Sequence, residues 1–252
     1  MSVPLLQVED LVVSFSGFRA IDGMSLSLQP GEIRVLIGPN GAGKSTFCDA
    51  IIGRVRATSG RILFAGQDIT RLPEHVIVGR GVCRKFQAPG VLPSLTVAEN
   101  LAIAARGDRR WWRNFGLAIP AAERQRVDET LERIGLSDRR DVVAGELAHG
   151  EKQWLEIGMV VCTDAQLLLL DEPTAGMGPA ETTRTADLVR SLAGRHTVMV
   201  IDHDMAFVEQ LAAPVTVMHQ GKLLKEGSVA EIRADAEVAA VYLGRTKHDA
   251  AA

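Results

Sequence analysis

The sequence has few cysteines and no long apolar run. Its three cysteines, Cys48, Cys83 and Cys162, lack any paired spacing, which argues against a disulfide framework and against a cysteine metal site. We expect them to be small buried side chains in a protein of a reducing compartment. No apolar stretch approaches the ~18 residues that a membrane-spanning helix needs. Any role at a membrane should therefore depend on partner proteins.

The sequence also lacks an excess of charge of either sign. Its 28 Lys and Arg residues against 31 Asp and Glu residues leave a net charge of −3, so no nucleic-acid partner is expected from bulk positive charge. Residues 1–10 contain no basic segment followed by an apolar core, which predicts no secretory signal. The 252 residues, 46% of them hydrophobic, are enough for one large α/β domain.

A phosphate-binding loop is the strongest motif that is present. It consists of Gly38, Pro39, Asn40, Gly41, Ala42, Gly43, Lys44, Ser45 and Thr46. An apolar strand over residues 32–37 should precede it and a helix over 46–52 should follow, which is the context the motif requires. Backbone N–H groups and the helix N-terminus would then surround an anion. Lys44 should reach the β- and γ-phosphates, and the Ser45 hydroxyl should bind Mg²⁺.

Acidic residues and a histidine follow two further buried strands. The apolar run 166–170 ends in Asp171, Glu172 and Pro173, and the run 197–201 ends before His203. Ligands of open α/β sheets bind at the carboxyl ends of the strands. Two adjacent carboxylates after four leucines favour a cation: Asp171 can hold Mg²⁺ through water, and Glu172 can orient or deprotonate a water molecule. We expect Pro173 to restrict Glu172 to an extended backbone, and His203 to lie at the same edge.

Three other segments indicate ligand binding less specifically than the phosphate-binding loop does. Phe15 or Phe18 could stack on an adenine ring, or both could be core residues. Gln87, at the end of a short strand, could bind Mg²⁺ or water beside a phosphate, although an ordinary loop amide has the same pattern. Residues 147–153 predict a turn and a helix start that could offer N–H groups to an anion.

Helical periodicity dominates the middle of the chain. Thr96 and Glu99 form a predicted capping box, residues 121–134 are amphipathic, and a single helix is expected over 229–242. The predicted fold is an α/β, RecA-like P-loop NTPase core with an antiparallel β subdomain, formed by residues 1–87 and 155–252. A helical subdomain over residues 88–154 interrupts it.

Taken in order, these motifs resemble the ATP-binding subunits of ABC transporters over nearly the whole chain. In that family Gly38–Thr46 corresponds to the Walker A loop, and the run ending in Asp171 corresponds to Walker B. The resemblance makes Glu172 the catalytic base, His203 the switch histidine, Gln87 the Q-loop glutamine and Phe15 the adenine-stacking aromatic. It implies ATP and Mg²⁺ as cofactors.

The resemblance also implies partners. Two ATPase subunits of this family pair head to tail, so the segment with Ala148, His149 and Gly150 should cap the nucleotide of a second subunit, in a heterodimer within the transporter. Two transmembrane permeases and, indirectly, an extracytoplasmic solute-binding protein would complete the assembly. The chain would lie peripherally on the cytoplasmic face of the inner membrane.

Departures from the family pattern lie in the signature segment, which is usually Leu-Ser-Gly-Gly-Gln. Ala148 lacks the serine hydroxyl, and Glu151 in place of glutamine could add an unfavourable negative charge near the partner's nucleotide. Gly178 replaces an aspartate that is usual in the loop facing the partner. We therefore expect the pocket built on Lys44 to be the better hydrolytic half, and the pocket capped by Ala148 to be weaker.

A nucleotide-binding subunit does not contact the transported solute, so only the family resemblance suggests which solute is transported. Residues 84–87, 149–159 and 241–244 resemble the branched-chain amino acid importer group, and within it the urea-uptake members. Branched-chain amino acid import is the alternative. A soluble ABC ATPase that assembles iron–sulfur clusters is another. A GTPase is disfavoured because no Asn-Lys-X-Asp motif is found, and a DNA-repair ABC ATPase would need a much longer helical insert.

Overall fold

The computed structural model describes residues 3–85, 90–106 and 120–243. The strands are β1 (Leu6–Phe15), β2 (Phe18–Leu28), β3 (Ile33–Ile37), β4 (Ser59–Phe64), β5 (Gln67–Asp68), β6 (Val82–Lys85), β7 (Leu167–Asp171), β8 (Thr197–Ile201), β9 (Val215–His219) and β10 (Lys222–Gly227). The helices are α1 (Lys44–Ile51), α2 (Glu74–Gly79), α3 (Val97–Ala105), α4 (Ala121–Ile134), α5 (His149–Cys162), α6 (Pro179–Leu192), α7 (Met205–Leu211), α8 (Val229–Ala234) and α9 (Ala236–Leu243).

The strands form two sheets. An antiparallel sheet has the order β2-β1-β4-β5, and a six-stranded sheet has the order β10-β9-β3-β8-β7-β6. In the larger sheet β9, β3, β8, β7 and β6 are parallel, and β10 is antiparallel to β9. Every residue of β7 and β8 is buried, as expected for strands covered on both faces.

Two hydrophobic cores cover the two faces of the larger sheet. Leu169 and Met199 point into one core, which contains α1 and the antiparallel sheet. Leu168 and Val200 point into the other, which contains α3, α4, α5 and α6. Successive strand residues alternate between faces, so the phosphate-loop helix and the predicted helical segment pack on opposite sides of one sheet.

The helical predictions for residues 96–99 and 121–134 are confirmed. Helix α4 spans Ala121–Ile134, and Thr96 and Glu99 form the predicted capping box, with the Thr96 N–H donating to Glu99 Oε2 at 2.8 Å. The division into a core and a helical subdomain at residues 88–154 stays a prediction. No helix of the described ranges is long and apolar enough to cross a membrane.

The prediction of one closing helix over 229–242 is wrong. Two helices occupy this stretch, α8 and α9, and they are separated by Asp235 in an extended conformation. The Asp235 carboxylate accepts hydrogen bonds from the backbone N–H groups of Glu237 and Val238. A side chain that caps a new helix start competes with continuation of the preceding helix. The apolar periodicity of residues 229–242 does not show this competition.

Candidate nucleotide site

The predicted functional segments meet at one edge of the larger sheet. Strands β3, β8 and β7 are neighbours and run parallel. Their carboxyl ends lead into the phosphate-binding loop, into the segment with His203, and into Asp171 and Glu172. Chain topology therefore brings together groups that lie far apart in the sequence.

The loop between β3 and α1 requires glycine for both shape and space. Gly43 has a φ of 104°, and a Cβ atom there would lie 2.5 Å from the carbonyl oxygen of Ala20. Lys44 Nζ donates to the carbonyl oxygens of Gly38 at 2.7 Å and Pro39 at 3.1 Å. The ammonium group is thus held over the loop, where a phosphate on the backbone N–H groups would meet it.

Asp171, the last residue of β7, is 2% exposed. Its carboxylate is paired with Arg84 of β6: Arg84 Nη2 lies 2.6 Å from Asp171 Oδ2. The same guanidinium reaches Asp49 of α1, with Nη1 2.6 Å from Oδ1. The sequence predicts a cation beside Asp171 and Glu172. Arg84 of the chain itself supplies part of that positive charge, because it pairs with Asp171.

Glu172 departs from the predicted extended backbone. Its φ is 46°, in the left-handed region that non-glycine residues rarely adopt, and its N–H donates to the carbonyl oxygen of Ile201 at 2.7 Å. That hydrogen bond continues the β7–β8 ladder past the strand end and overrides the local effect of Pro173. Strained backbone of this kind concentrates at functional sites.

His203 lies at the same sheet edge as Glu172, as predicted, and the structure places the two side chains next to each other. Its Nδ1 is 3.5 Å from Glu172 Oε1, and its side chain is 71% exposed. The segment is held by the buried carboxylate of Asp202, which accepts hydrogen bonds from the backbone N–H groups of His203 and Asp204 and from the hydroxyl of Thr174. A hydrogen-bonded turn thus presents an exposed imidazole beside a partly exposed carboxylate.

The alternative in which Phe15 and Phe18 are both core residues is excluded. Phe15 is 48% exposed and Phe18 is 68% exposed, and they face each other at the tip of the β1–β2 hairpin. Two residues further on, Ala20 lies against Gly43 of the phosphate loop. Exposed aromatic faces are therefore available beside the loop.

Ala148 is the N-cap of α5, and Glu151 completes the cap. Glu151 Oε2 accepts a hydrogen bond from the Ala148 N–H at 3.0 Å, and Oε1 lies 3.3 Å from Arg139. The carboxylate thus turns back onto its own helix start, and its unfavourable effect on a partner's nucleotide stays a prediction. A carboxylate in this place stabilises a helix N-terminus.

His149 and Gly150 are fixed by the segment that follows Glu172. His149 Nε2 donates to the carbonyl oxygen of Ala175 at 2.9 Å. A Cβ atom on Gly150 would lie 2.2 Å from Oε1 of Glu181, whose other oxygen caps α6 at the Gly178 N–H. The beginnings of α5 and α6 are therefore packed together, and a larger residue at position 150 would require the Glu181 side chain to move.

Lys85 is a buried residue whose importance the sequence did not reveal. Its ammonium group lies 3.0 Å from Glu156 Oε2 and also contacts Gln153, both on α5. Arg84 and Lys85 thus point from the end of β6 to opposite faces of the sheet. Gln87, two residues further on, lies outside the described residues.

A family model for ABC transporters matches residues 21–175 of this chain. The high-affinity branched-chain amino acid transport ATP-binding protein LivG of Escherichia coli (strain K12) is 37% identical over 97% of this chain and 99% of its own length. BraF of Pseudomonas aeruginosa, also a high-affinity branched-chain amino acid transport ATP-binding protein, is 36% identical with the same coverage.

Solved structures agree with this assignment. A nucleotide-free ATP-binding cassette from an ABC transporter superposes with a TM-score of 0.84 at 30% identity, over 95% of this chain and 99% of that one. An ATP-binding cassette in its ADP conformation also gives 0.84, at 31% identity and over 96% and 100% of the two chains. The fold is that of the P-loop ABC ATPases, and the chain belongs to the ABC transporter family as an ATP-binding, ATP-hydrolysing transporter subunit.

Proposed function

We propose that this chain is the ATPase subunit of an importer of the branched-chain amino acid type. The observation that carries the proposal is the end-to-end similarity to LivG and BraF, at 36–37% identity. These relatives support the branched-chain amino acid alternative better than the urea reading suggested by local motifs. Urea remains a possible outcome of the transport experiment below.

ATP binds at the phosphate loop. Backbone N–H groups of the loop from Gly38 to Thr46, except that of Pro39, which has none, surround the phosphates together with the start of α1. Lys44 leaves the carbonyl groups of Gly38 and Pro39 to neutralise charge on the β- and γ-phosphates. Phe15, exposed at the hairpin tip, stacks on the adenine ring. Each role is assigned from the position of the residue relative to this anion-binding loop.

The residues that are present suit Mg²⁺ bound together with a nucleotide. Ser45 and Asp49 are four residues apart, so they share a face of α1, and Arg84 joins Asp49 to Asp171. Ser45, Asp171 and Gln87 are the proposed ligands. The described residues hold no group of three or more His, Cys, Asp or Glu side chains arranged for a metal, as expected where substrate phosphates supply ligands to Mg²⁺. The ion would neutralise charge that develops on the phosphates.

Glu172 and His203 act on the attacking water. Glu172 is the general base, and its carboxylate lies beside His203 at the carboxyl edge of the sheet. His203, 3.5 Å from Glu172, positions the water and the γ-phosphate. Water then attacks in line, and ADP and phosphate leave.

The partners follow from the same family. A second ATPase subunit pairs head to tail with this chain, and Ala148, His149 and Gly150 cap the nucleotide on that subunit. Two transmembrane permeases receive the closing motion near Gln87, and an extracytoplasmic solute-binding protein delivers the solute to them. The chain is then peripheral, on the cytoplasmic face of the inner membrane.

Uptake by intact cells tests the proposal. The gene is deleted from its source organism, and uptake of labelled leucine and labelled urea is measured after complementation with the wild-type chain or with Lys44→Ala. Loss of leucine uptake that only the wild-type chain restores supports the proposal. Loss of urea uptake with leucine uptake intact replaces the branched-chain solute by urea.

A third outcome would contradict import altogether. If both uptakes are unchanged and the tagged chain co-purifies with soluble cluster-assembly proteins rather than with membrane subunits, the alternative of iron–sulfur cluster assembly is correct. The Lys44→Ala variant serves as a matched control because it keeps the protein while it removes the phosphate-binding ammonium group.

A further inference from the structure

The end of β6 carries a buried arginine that the proposed mechanism does not use. Arg84 pairs with Leu169 of β7 in the sheet register, and Asp171 lies two residues further along β7. Residues two apart on a strand share a face, so Arg84 and Asp171 are diagonal neighbours on the face covered by α1. Asp49 of α1 closes the group from above.

The Arg84 and Asp171 side chains are buried, Asp49 is partly exposed, and the three side chains are tightly paired. The Arg84 side chain is 8% exposed, and it spans Asp49 and Asp171 with two contacts of 2.6 Å. Cys48 lies in the same pocket; burial raises its pKa to about 12, and the nearby carboxylates add to this while Arg84 opposes it. The thiol therefore stays neutral, and the arginine and two carboxylates carry one net negative charge.

Fold stability alone does not account for this arrangement. Among the described residues Arg84 Nε is buried without a hydrogen-bond partner, which is a cost in free energy. A buried ion pair is in general weak evidence for stability, since apolar side chains of similar volume often serve as well. The arginine does, however, hold one oxygen of the Asp171 carboxylate, since Oδ2 takes the guanidinium at 2.6 Å, and it thereby restricts the orientation of that carboxylate.

We propose that Arg84 is a positioning residue that orients Asp171 for the cation bound with the nucleotide, with Asp49 holding the guanidinium in place. The inference rests on the proposed function, because it concerns the same Mg²⁺–nucleotide site. Groups that orient a ligating carboxylate typically change metal affinity by about 10–100-fold when they are removed. Arg84 acts through Asp171 and needs no contact with the nucleotide.

Binding rather than turnover tests the proposal. Affinity of the purified chain for a fluorescent ATP analogue is measured in EDTA and across a MgCl₂ titration, for the wild type, Arg84→Lys and Asp49→Asn. Arg84→Lys keeps the charge but has no planar fork to span two carboxylates. We expect it to raise the Mg²⁺ concentration for half-maximal enhancement of binding about tenfold, with affinity in EDTA unchanged. Asp49→Asn should give a smaller shift in the same direction.

Arg34→Lys is the matched control. Arg34 of β3 also joins two carboxylates, Glu32 at 2.6 Å and Glu226 at 2.5 Å, and it lies three strands away from β6 in the sheet order. Its replacement by lysine loses the same fork without touching Asp171. The Mg²⁺ dependence of binding should therefore match that of the wild type.

The outcomes separate this inference from the proposed function. An unchanged Mg²⁺ titration for Arg84→Lys, or an equal shift for Arg34→Lys, overturns the inference while the wild-type chain still binds nucleotide with Mg²⁺. A loss of affinity in EDTA equal to the loss with Mg²⁺ shows a general structural defect and also overturns it. A wild-type chain that binds no nucleotide at all overturns the proposed function itself.

Discussion

Two regions of this molecule differ in whether their charged side chains are available to a ligand or paired within the chain. At the carboxyl edge of β3, β8 and β7, Glu172 and His203 are at least partly exposed, and Lys44 donates to loop carbonyl groups that a phosphate can replace. At the start of α5, the carboxylate of Glu151 is engaged by the Ala148 N–H and by Arg139.

The difference indicates which half of a nucleotide pocket this chain provides best. At the sheet edge, charged groups and a strained backbone are available to a ligand. At the start of α5, the Glu151 carboxylate instead caps its own helix. A helix N-terminus already capped by a carboxylate has less to offer an external anion. The first three of the four predictions below test this comparison, and all four are ordered from the largest expected effect to the smallest.

The first prediction concerns the two carboxylates that represent the two regions. Glu172→Gln should lower ATP turnover of the assembled transporter by about 10²–10⁴-fold, because it removes the general base, and should retain ATP binding and dimerisation. Phosphate release and nucleotide binding measure the two effects. Glu151→Ala is the contrasting variant: loss of a helix-capping group should lower the free energy of unfolding by about 0.3–1.5 kcal/mol. Steady-state hydrolysis retained by Glu172→Gln would refute the assigned base.

The second prediction concerns the hairpin tip. Phe15→Ala should weaken ATP affinity by about 1–3 kcal/mol, the usual value of aromatic–base stacking. Phe18→Ala, which removes the neighbouring and more exposed aromatic ring, is the control and should have little effect. Titration with ATP and with tripolyphosphate distinguishes base from phosphate binding. Equal losses for both variants would contradict the assignment to Phe15.

The third prediction concerns Ala148, the N-cap of α5, which has φ −62° and ψ 162°. Ala148→Ser restores a favoured cap, for about 1 kcal/mol of helix stability, and returns a hydroxyl donor worth about 1.5–3 kcal/mol to a charged phosphate. Turnover of the assembled transporter should rise. Ala148→Gly improves the cap without a hydroxyl, so it should leave turnover unchanged. No gain with serine would contradict a weak pocket caused by the missing donor.

The smallest effect involves neither region. His196, just before β8, donates Nδ1–H to the Ala165 carbonyl, and burial lowers its pKa below the ordinary value of 6.5. As the pH falls below 6.5, the unfolded chain binds a proton that the folded chain does not, so stability decreases until the lower folded pKa is passed. Urea unfolding at several pH values should show this loss, and His196→Gln should reduce it. The exposed His75→Gln should not; an unchanged pH profile in His196→Gln would exclude His196 as its cause.

Much of the site was predictable because its motifs are local. The phosphate loop needs only a strand, its glycines and a helix, and these are consecutive in the chain. The placement of Asp171 and His203 required one further step, since strands buried on both faces were recognisable and their carboxyl ends meet at one edge. The role of Gln87 stays a prediction.

Other features of the site could not be predicted from sequence. The local effect of Pro173 pointed to an extended Glu172, but a hydrogen bond to Ile201 on the next strand decided its backbone. The negative charge of Glu151 was evident from the sequence. Only the structure shows that its carboxylate contacts the Ala148 N–H and Arg139. In both cases a contact outside the local pattern determined the outcome.

The sequence by itself determined the order of elements, the phosphate loop and the strand-end positions of the reactive groups, since each depends on periodicity or on spacing within about ten residues. Tertiary structure alone decided which charges neutralise one another. Arg84 meets Asp171 only because β6 and β7 pair in parallel in one particular register, and Asp49 joins them only because α1 packs on that face of the sheet. Register and helix packing are set by long-range burial of apolar surface, and no local pattern in the chain records them.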